Sequence, residues 1–203
     1  MQLFQLQWSE DGKNAVLLAR SADNKDRWVL LLDPTDRQDE VLSVCTTMRG
    51  LVVPGSFTLG WLPDNTHVYF ESERDGYAHL YSLSIDGGEP TQLTSGRVLK
   101  YLTSRLSRDK SKFYFISSEG SPFETTPVFD VDKVVESRTR ITTLPGNNAV
   151  DISPDETTLA DIRSYSNKPP ELYLLPNEPA QESVGVQVSN NIPDTRVLHA
   201  RLD

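Results

Sequence analysis

The sequence predicts an all-β fold, a β-propeller of four four-stranded blades. Three observations predict it: a turn phrase recurs at a blade-like period, alternating strands follow each copy, and no long segment carries a helical pattern. The phrase is an apolar residue followed by a tight turn with aspartate. It reads Trp8-Ser9-Glu10-Asp11-Gly12, Trp61-Leu62-Pro63-Asp64-Asn65, Leu106-Ser107-Arg108-Asp109-Lys110 and Ile152-Ser153-Pro154-Asp155-Glu156. Its aspartates are separated by 53, 45 and 46 positions, a spacing that suits one four-stranded blade per copy. An all-β sandwich is the structural competitor, but it requires no fixed repeat of one phrase.

Aspartate in the phrase can accept hydrogen bonds from backbone amides two residues on, and Pro63 or Pro154 presets φ for the turn, so each copy works as a hairpin corner. A strand follows each corner, at Ala15 to Ala19, through Val68 and Phe70, through Phe113 and Phe115, and at Thr158 to Ile162. A second corner is clearest at Glu73-Arg74-Asp75-Gly76, where Gly76 can take a positive φ. Third strands are expected at Trp28 to Leu32, Tyr77 to Leu83, Thr126 to Val131 and Glu171 to Leu175. Short fourth strands are placed at Glu40 to Ser43, Thr91 to Thr94, Arg140 to Thr143 and Val186 to Ser189. The blades therefore run over about 3–45, 56–96, 100–145 and 148–190, with 191–203 as a tail or linker. Asp132 to Arg138 is the one weak helix candidate.

The formal net charge of −9 argues against binding nucleic acid or an anionic membrane, because neutralising phosphates needs clustered Lys and Arg, and the basic residues here are scattered. The opening residues have no basic segment and no apolar stretch of signal-peptide length, so no exported precursor is expected. Apolar runs such as Trp28 to Leu32 are far shorter than the ~20 residues that span a bilayer. The lone cysteine, Cys45, excludes an internal disulfide and reads as a small apolar strand residue.

Candidate chemistry is sparse. A general base needs a nucleophile and an orienting acid nearby, and the sequence offers no such set around His67, His79 or His199. A four-residue loop at Glu73 to Gly76 would put His79 opposite Phe70 and His67 on the other face of the blade, with His199 in the tail. Glu71, Glu73, Asp75 and Gly76 imitate the start of a calcium loop, but Ser82 stands where the closing carboxylate belongs, so no metal or cofactor is expected. Asp33, Asp36, Asp39 and Glu40, with Arg37 among them, read as a solvated loop face. Trp8 and Trp61 occupy the same place in their repeats and are expected in the core between blades; no place in the core is assigned to Trp28.

The stretch Trp61 to Asp64, then Glu73-Arg74-Asp75-Gly76-Tyr77-Ala78-His79-Leu80-Tyr81, then Gly88-Glu89-Pro90-Thr91-Gln92-Leu93-Thr94, resembles the propeller of dipeptidyl peptidase IV-type serine peptidases. Residues 21–28, 118–122 and 164–173 resemble later blades of the same family, so the likeness covers most of the chain. The turn phrase alone also occurs in Tol-type periplasmic propellers. The resemblance implies a propeller region that caps an α/β-hydrolase domain and restricts access to it, in a parent that is periplasmic or cytoplasmic and acts on peptides. In that family the propeller is a ring of seven or eight blades, and the chain resembles only the second half of such a ring, a partial ring of four. The family's paired glutamates that grip the substrate's amino group have no match here, and no Gly-x-Ser-x-Gly occurs, so the elbow that exposes a nucleophilic serine is not built. No catalytic or substrate-binding residue carries over, and this chain is expected to be no enzyme. Its expected partners are the parent's own hydrolase domain or, in a stand-alone interaction propeller of the Tol type, another protein. Two copies joined head to tail would also close a ring of half rings.

Overall fold

The computed structural model describes residues 1–23, 26–32, 58–96, 104–117, 126–131, 138–142, 146–179 and 185–190. Among them there is no helix, hence none long and apolar enough to cross a membrane. The described strands form four antiparallel sheets. The first holds β1 (Gln2–Trp8), β2 (Ala15–Arg20) and β3 (Arg27–Leu32) in sequence order. The second holds β4 (Leu59–Trp61), β5 (His67–Ser72), β6 (His79–Ser84) and β7 (Thr91–Gln92), again in order. The third consists of β8 (Ser104–Leu106), β9 (Lys112–Ser117), β10 (Thr126–Val131) and β11 (Arg138–Arg140), and the fourth of β12 (Asn147–Ile152), β13 (Thr158–Tyr165), β14 (Lys168–Pro176) and β15 (Val186–Gln187). Repeated up-and-down sheets of this kind are propeller blades.

The first strand of every sheet ends on the apolar residue of the turn phrase, Trp8, Trp61, Leu106 or Ile152. The expected fourth strand at Glu40 to Ser43 lies outside the described residues, as do Cys45, His199, the loop carrying Asp33, Asp36, Arg37 and Asp39, and the helix candidate except Arg138, which opens β11. Several boundaries differ from expectation: β7 and β15 stop at Gln92 and Gln187, short of Thr94 and Ser189, β13 runs past Ile162 to Tyr165, and β14 runs from Lys168 to Pro176, beyond Glu171 to Leu175. The third strand of the second sheet starts at His79 rather than Tyr77, because the Tyr77 N–H is held by Asp75 Oδ1 at 3.1 Å and stays in the corner. Strand β11 ends at Arg140, with Ile141 and Thr142 buried beyond its end rather than in the ladder.

The chain divides into two compact units, residues 1–117 with 130–138, and residues 118–129 with 139–203. The core of the first unit follows from strand register. Val16 faces Leu31 and Leu18 faces Val29 across β2 and β3, which puts these four on one face of the first sheet. Leu59, Phe70 and Tyr81 line up across the second sheet, beside Val68 and Leu83. These two sets form one buried cluster, with Phe4, Trp61 and Ile85 packed at its margin. Gln5 is the extra residue of a bulge in β1, between the Phe4 and Leu6 pairings, and its side-chain amide donates to Leu59 O at 3.3 Å, linking the two sheets.

Tyr69 leaves the second sheet on the opposite face and meets Phe113 of β9 edge-on, centroids 4.9 Å apart. This works because Gly60 faces Tyr69 across the ladder: a Cβ there would sit 2.5 Å from the Tyr69 ring. The ring is fixed by Phe113 and by a bond to the Leu106 backbone, so it cannot simply swing away. Gly60→Ala is therefore expected to destabilise the first unit by about 1–3 kcal/mol, as overpacking does; a shifted urea midpoint in tryptophan fluorescence checks this.

In the second unit, Leu159, Asp161 and Arg163 of β13 share one face with Leu175, Tyr173 and Glu171 of β14, while Ala160 and Ile162 share the other with Leu174 and Leu172. The first of these faces is buried although it carries charge; Asp161, Glu171, Leu159 and Leu175 are all at or below 1% exposure.

Candidate functional site

The residues with chemistry gather at the hairpin corners, and all four phrase corners have one construction. The amide of the residue after Asp bonds back across the turn: Gly12 to Ser9 O, Asn65 to Leu62 O, Lys110 to Ser107 O and Glu156 to Ser153 O, at 2.8–3.1 Å. That residue adopts positive φ in every copy, 70° at Gly12, 56° at Asn65, 60° at Lys110 and 59° at Glu156. Only the first copy meets this demand with glycine; in the others the corner's other hydrogen bonds hold the strained backbone. Asp11, Asp64, Asp109 and Asp155 each accept from the amide two residues on, at 3.0–3.2 Å. In three copies the phrase serine donates to the same aspartate, at 2.5–2.7 Å, and its hydroxyl accepts from an amide at the start of the next strand, Lys112 or Thr158, or just before it, Asn14. The second copy has Leu62 instead of serine, and His67 substitutes: its amide and Nδ1 reach the two oxygens of Asp64 at 3.0 and 2.8 Å.

These bonds favour ionised carboxylates. The Ser9, Ser107 and Ser153 hydroxyls, followed by backbone amides, hold Asp11, Asp109 and Asp155 below the usual carboxylate range, and Asp109 falls to about 2. At Asp64 burial acts upward but is outweighed by bonds from Thr66 and His67. A carboxylate whose folded pKa is depressed stabilises the fold above its unfolded pKa of about 3.9, and loses that contribution as pH falls through the folded value. For Asp109 the window is pH 4 to 2. Asp109→Asn is expected to flatten the fall of the urea midpoint across that window, and an unchanged acid limb would contradict the assignment. The corners of the first three sheets also touch: the Glu10 amide donates to Asn65 Oδ1 at 2.9 Å and the Lys110 ammonium pairs with the Glu10 carboxylate.

His79 stands beside a carboxylate and a hydroxyl that are distant from each other in the sequence. It faces Ser72, not Phe70, because six residues rather than four close the hairpin; His67 does lie on the other face. Nε2 of His79 stands 3.5 Å from Asp75 Oδ2 and Nδ1 stands 3.2 Å from Thr94 Oγ1. Carboxylate, imidazole and hydroxyl thus follow one another in the order nucleophilic hydrolases use. Thr94 Oγ1, however, accepts the Leu80 amide at 3.0 Å, and both Thr94 and His79 are buried. Gln92 adds bonds to Asp75 Oδ2 at 3.2 Å and Thr94 O at 2.8 Å. The set ties the Asp75 corner to β6 and the end of β7, and presents no hydroxyl to a substrate carbonyl. The separation of 15 residues between His79 and Thr94 hid it in the sequence; the signal was an Asp-Gly corner followed by His and a closing Thr.

The carboxylates of the calcium-like stretch are engaged elsewhere. Thr58 Oγ1 donates to Glu71 Oε2 at 3.5 Å, Asp75 belongs to the His79 set, and burial raises Glu73 while Arg27 pulls it down. Arg27 is buried, and burial, then Arg20, lowers its guanidinium to about 10 against the pull of Glu71 and Glu73; it is charged at neutral pH. Among the described residues no three His, Cys, Asp or Glu side chains could hold a metal ion. Trp61 packs at the core margin, its Nε1–H donating to Gln7 O at 3.0 Å. Trp8 is 54% exposed, which corrects its expected place in the core: no described strand lies over it as β1 lies beside Trp61.

The chain is similar to two crystal structures. TolB from Acinetobacter baumannii superposes with a TM-score of 0.63 at 18% identity, over 93% of this chain and 43% of that one. A Bacteroides ovatus protein assigned as a dipeptidyl aminopeptidase IV gives 0.65 at 17% identity, over 94% of this chain and 29% of that one. At these identities the likeness shows the propeller fold, and this chain spans less than half the length of either protein. No curated protein matches. Residues 2–170 match the family of the dipeptidyl peptidase IV (DPP IV) N-terminal region, and the chain belongs to that family.

Proposed function

We propose that this chain is the non-catalytic propeller region of a dipeptidyl peptidase IV-like serine exopeptidase, scaffolding an α/β-hydrolase domain and gating peptide entry to it. The observation that carries the reading is the family match over residues 2–170. The sequence supports it, since no Gly-x-Ser-x-Gly elbow occurs, and so does the burial of Thr94, which keeps the hydroxyl beside His79 and Asp75 out of reach. In this reading the propeller supplies steric selection and the hydrolase domain supplies nucleophile, base and oxyanion hole.

The experiment is incubation of the purified 203-residue chain with chromogenic dipeptide substrates, together with reading the coding frame beyond the Asp203 codon. No turnover, with a frame that runs into a domain containing Gly-x-Ser-x-Gly, is the expected result. Turnover that survives purification and stops with a serine-directed inhibitor overturns it. A second reading, a stand-alone protein-interaction propeller, draws on the superposition with TolB; a frame that stops or continues into unrelated sequence would favour it.

A further inference from the structure

Asp-Gly occurs at three places in the chain, Asp11-Gly12, Asp75-Gly76 and Asp86-Gly87. Glycine after aspartate leaves the next peptide nitrogen unshielded by a Cβ, so that nitrogen can approach the aspartate's own Cγ. In most respects the three sites are alike. All three aspartates are exposed, and a Cβ on any of the three glycines would meet nothing within 4 Å. The glycine amides donate to Ser9 O, Glu73 O and Ser84 O at 2.9–3.1 Å. What separates the sites is the carboxylate. Asp11 Oδ1 accepts from the Ser9 hydroxyl at 2.7 Å and the Lys13 amide at 3.1 Å, and Oδ2 pairs with the Lys13 ammonium at 3.4 Å. Asp75 Oδ1 accepts from the Tyr77 amide at 3.1 Å and Oδ2 from Gln92 Nε2 at 3.2 Å, with His79 Nε2 3.5 Å away. In both, the amide of the residue after glycine holds the carboxylate across the turn. At Asp86 that next residue is a second glycine, Gly88, and the carboxylate accepts no hydrogen bond among the described residues. Asp86 is tied instead through its main chain, its amide donating to Ser84 Oγ at 3.2 Å.

We propose that Asp86-Gly87 is a modification site, isomerising spontaneously to isoaspartate in the folded chain, and that Asp11-Gly12 and Asp75-Gly76 are protected from the same change. The Gly87 nitrogen gives its proton to water and attacks Cγ of the Asp86 carboxyl in its neutral form. A C–N bond forms, the carboxyl C–O bond breaks, and one water leaves, closing a five-membered succinimide. Water then adds back. Opening at Cγ restores aspartate, whereas opening at the main-chain carbonyl routes the chain through Cγ, with one extra backbone carbon and a free α-carboxylate. Water is the co-reactant at both stages. The attack needs a carboxyl that can turn toward the glycine nitrogen and take up a proton. At Asp11 the Ser9 hydroxyl, then the Lys13 amide, hold the carboxyl below the usual carboxylate range, which makes the neutral form scarcer there. The loop between β6 and β7 can accommodate the extra carbon, since Gly87 and Gly88 stand at φ of 93° and 109° with open space around both. The proposal stands on this loop and not on the peptidase reading.

Ageing the full chain for weeks at about pH 7.4 and 37 °C, in buffer and in guanidinium chloride, tests it. Tryptic peptides are then read by electron-transfer mass spectrometry, whose backbone fragments distinguish isoaspartate from aspartate. Asp11 is followed in the peptide ending at Lys13, and Asp75 and Asp86 in the peptide ending at Arg97, which compares two sites within one molecule. In buffer, isoaspartate should accumulate at Asp86 at least about tenfold faster than at Asp11 or Asp75, whose carboxylates must first give up charge-assisted hydrogen bonds. In guanidinium chloride those bonds are gone, and the three rates should converge. Asp86→Glu, whose closure would need a larger ring, should lose the isoaspartate at position 86 and keep the far-UV circular dichroism spectrum. No isoaspartate at Asp86 in buffer, or equal rates at the three sites there, would overturn the proposal. So would an undiminished preference for Asp86 in guanidinium chloride, because neighbouring sequence rather than the folded carboxylate contacts would then make the choice.

Discussion

Phe70→Ala is expected to destabilise the first unit by about 3–5 kcal/mol, the cost of emptying a well-packed aromatic site. Phe70 is 1% exposed, stacks on Tyr81 with centroids 6.0 Å apart, and fills the centre of the cluster shared by the first two sheets. Neighbours cannot collapse into the space, since β5 and β6 are fixed by a full antiparallel register from His67 with Ser84 to Ser72 with His79. All three tryptophans, Trp8, Trp28 and Trp61, lie in the first unit, so fluorescence in urea reports on this unit alone. A midpoint unchanged in Phe70→Ala would contradict the packing of the two sheets.

Arg163→Met should cost the second unit about 3–5 kcal/mol, because breaking a buried ion pair from one side strands the other charge. The Arg163 guanidinium donates to Asp161 Oδ2 at 2.7 Å and to Asn148 Oδ1 at 3.0 Å, and lies 4.5 Å over the Tyr173 ring. Asp161 is fully buried and its Oδ1 has no partner; burial raises its pKa, against the pull of Arg163. A buried pair replaced whole by apolar groups is often neutral. The double variant Asp161→Leu, Arg163→Met is therefore expected to recover most of the loss. Hydrogen exchange of peptides from β12 to β14, read by mass spectrometry, checks both. Additive losses in the double variant would show that the pair is not the origin of the effect.

The corners, most of the strands and their grouping into blades were legible in the sequence because each is decided within a few residues. Asp11, Asp64, Asp109 and Asp155 bond to amides two positions away, and an alternating strand has only one way to bury its apolar side. The family likeness was legible for the same reason, since it rests on runs such as Glu73 to Tyr81. Local reading failed where the outcome depended on another sheet. Trp8 and Trp61 are equivalent in the repeat, yet β1 shelters only Trp61; the difference lies in what stands across from each side chain. The meeting of Asp75, His79 and Thr94 needed the register of β6 and β7, which a one-residue change would undo. The same holds for the fourth sheet, whose charged face is buried and whose apolar face is open. Alternation in the sequence marks two faces, but only tertiary packing decides which one meets solvent, because that choice belongs to the neighbouring surface.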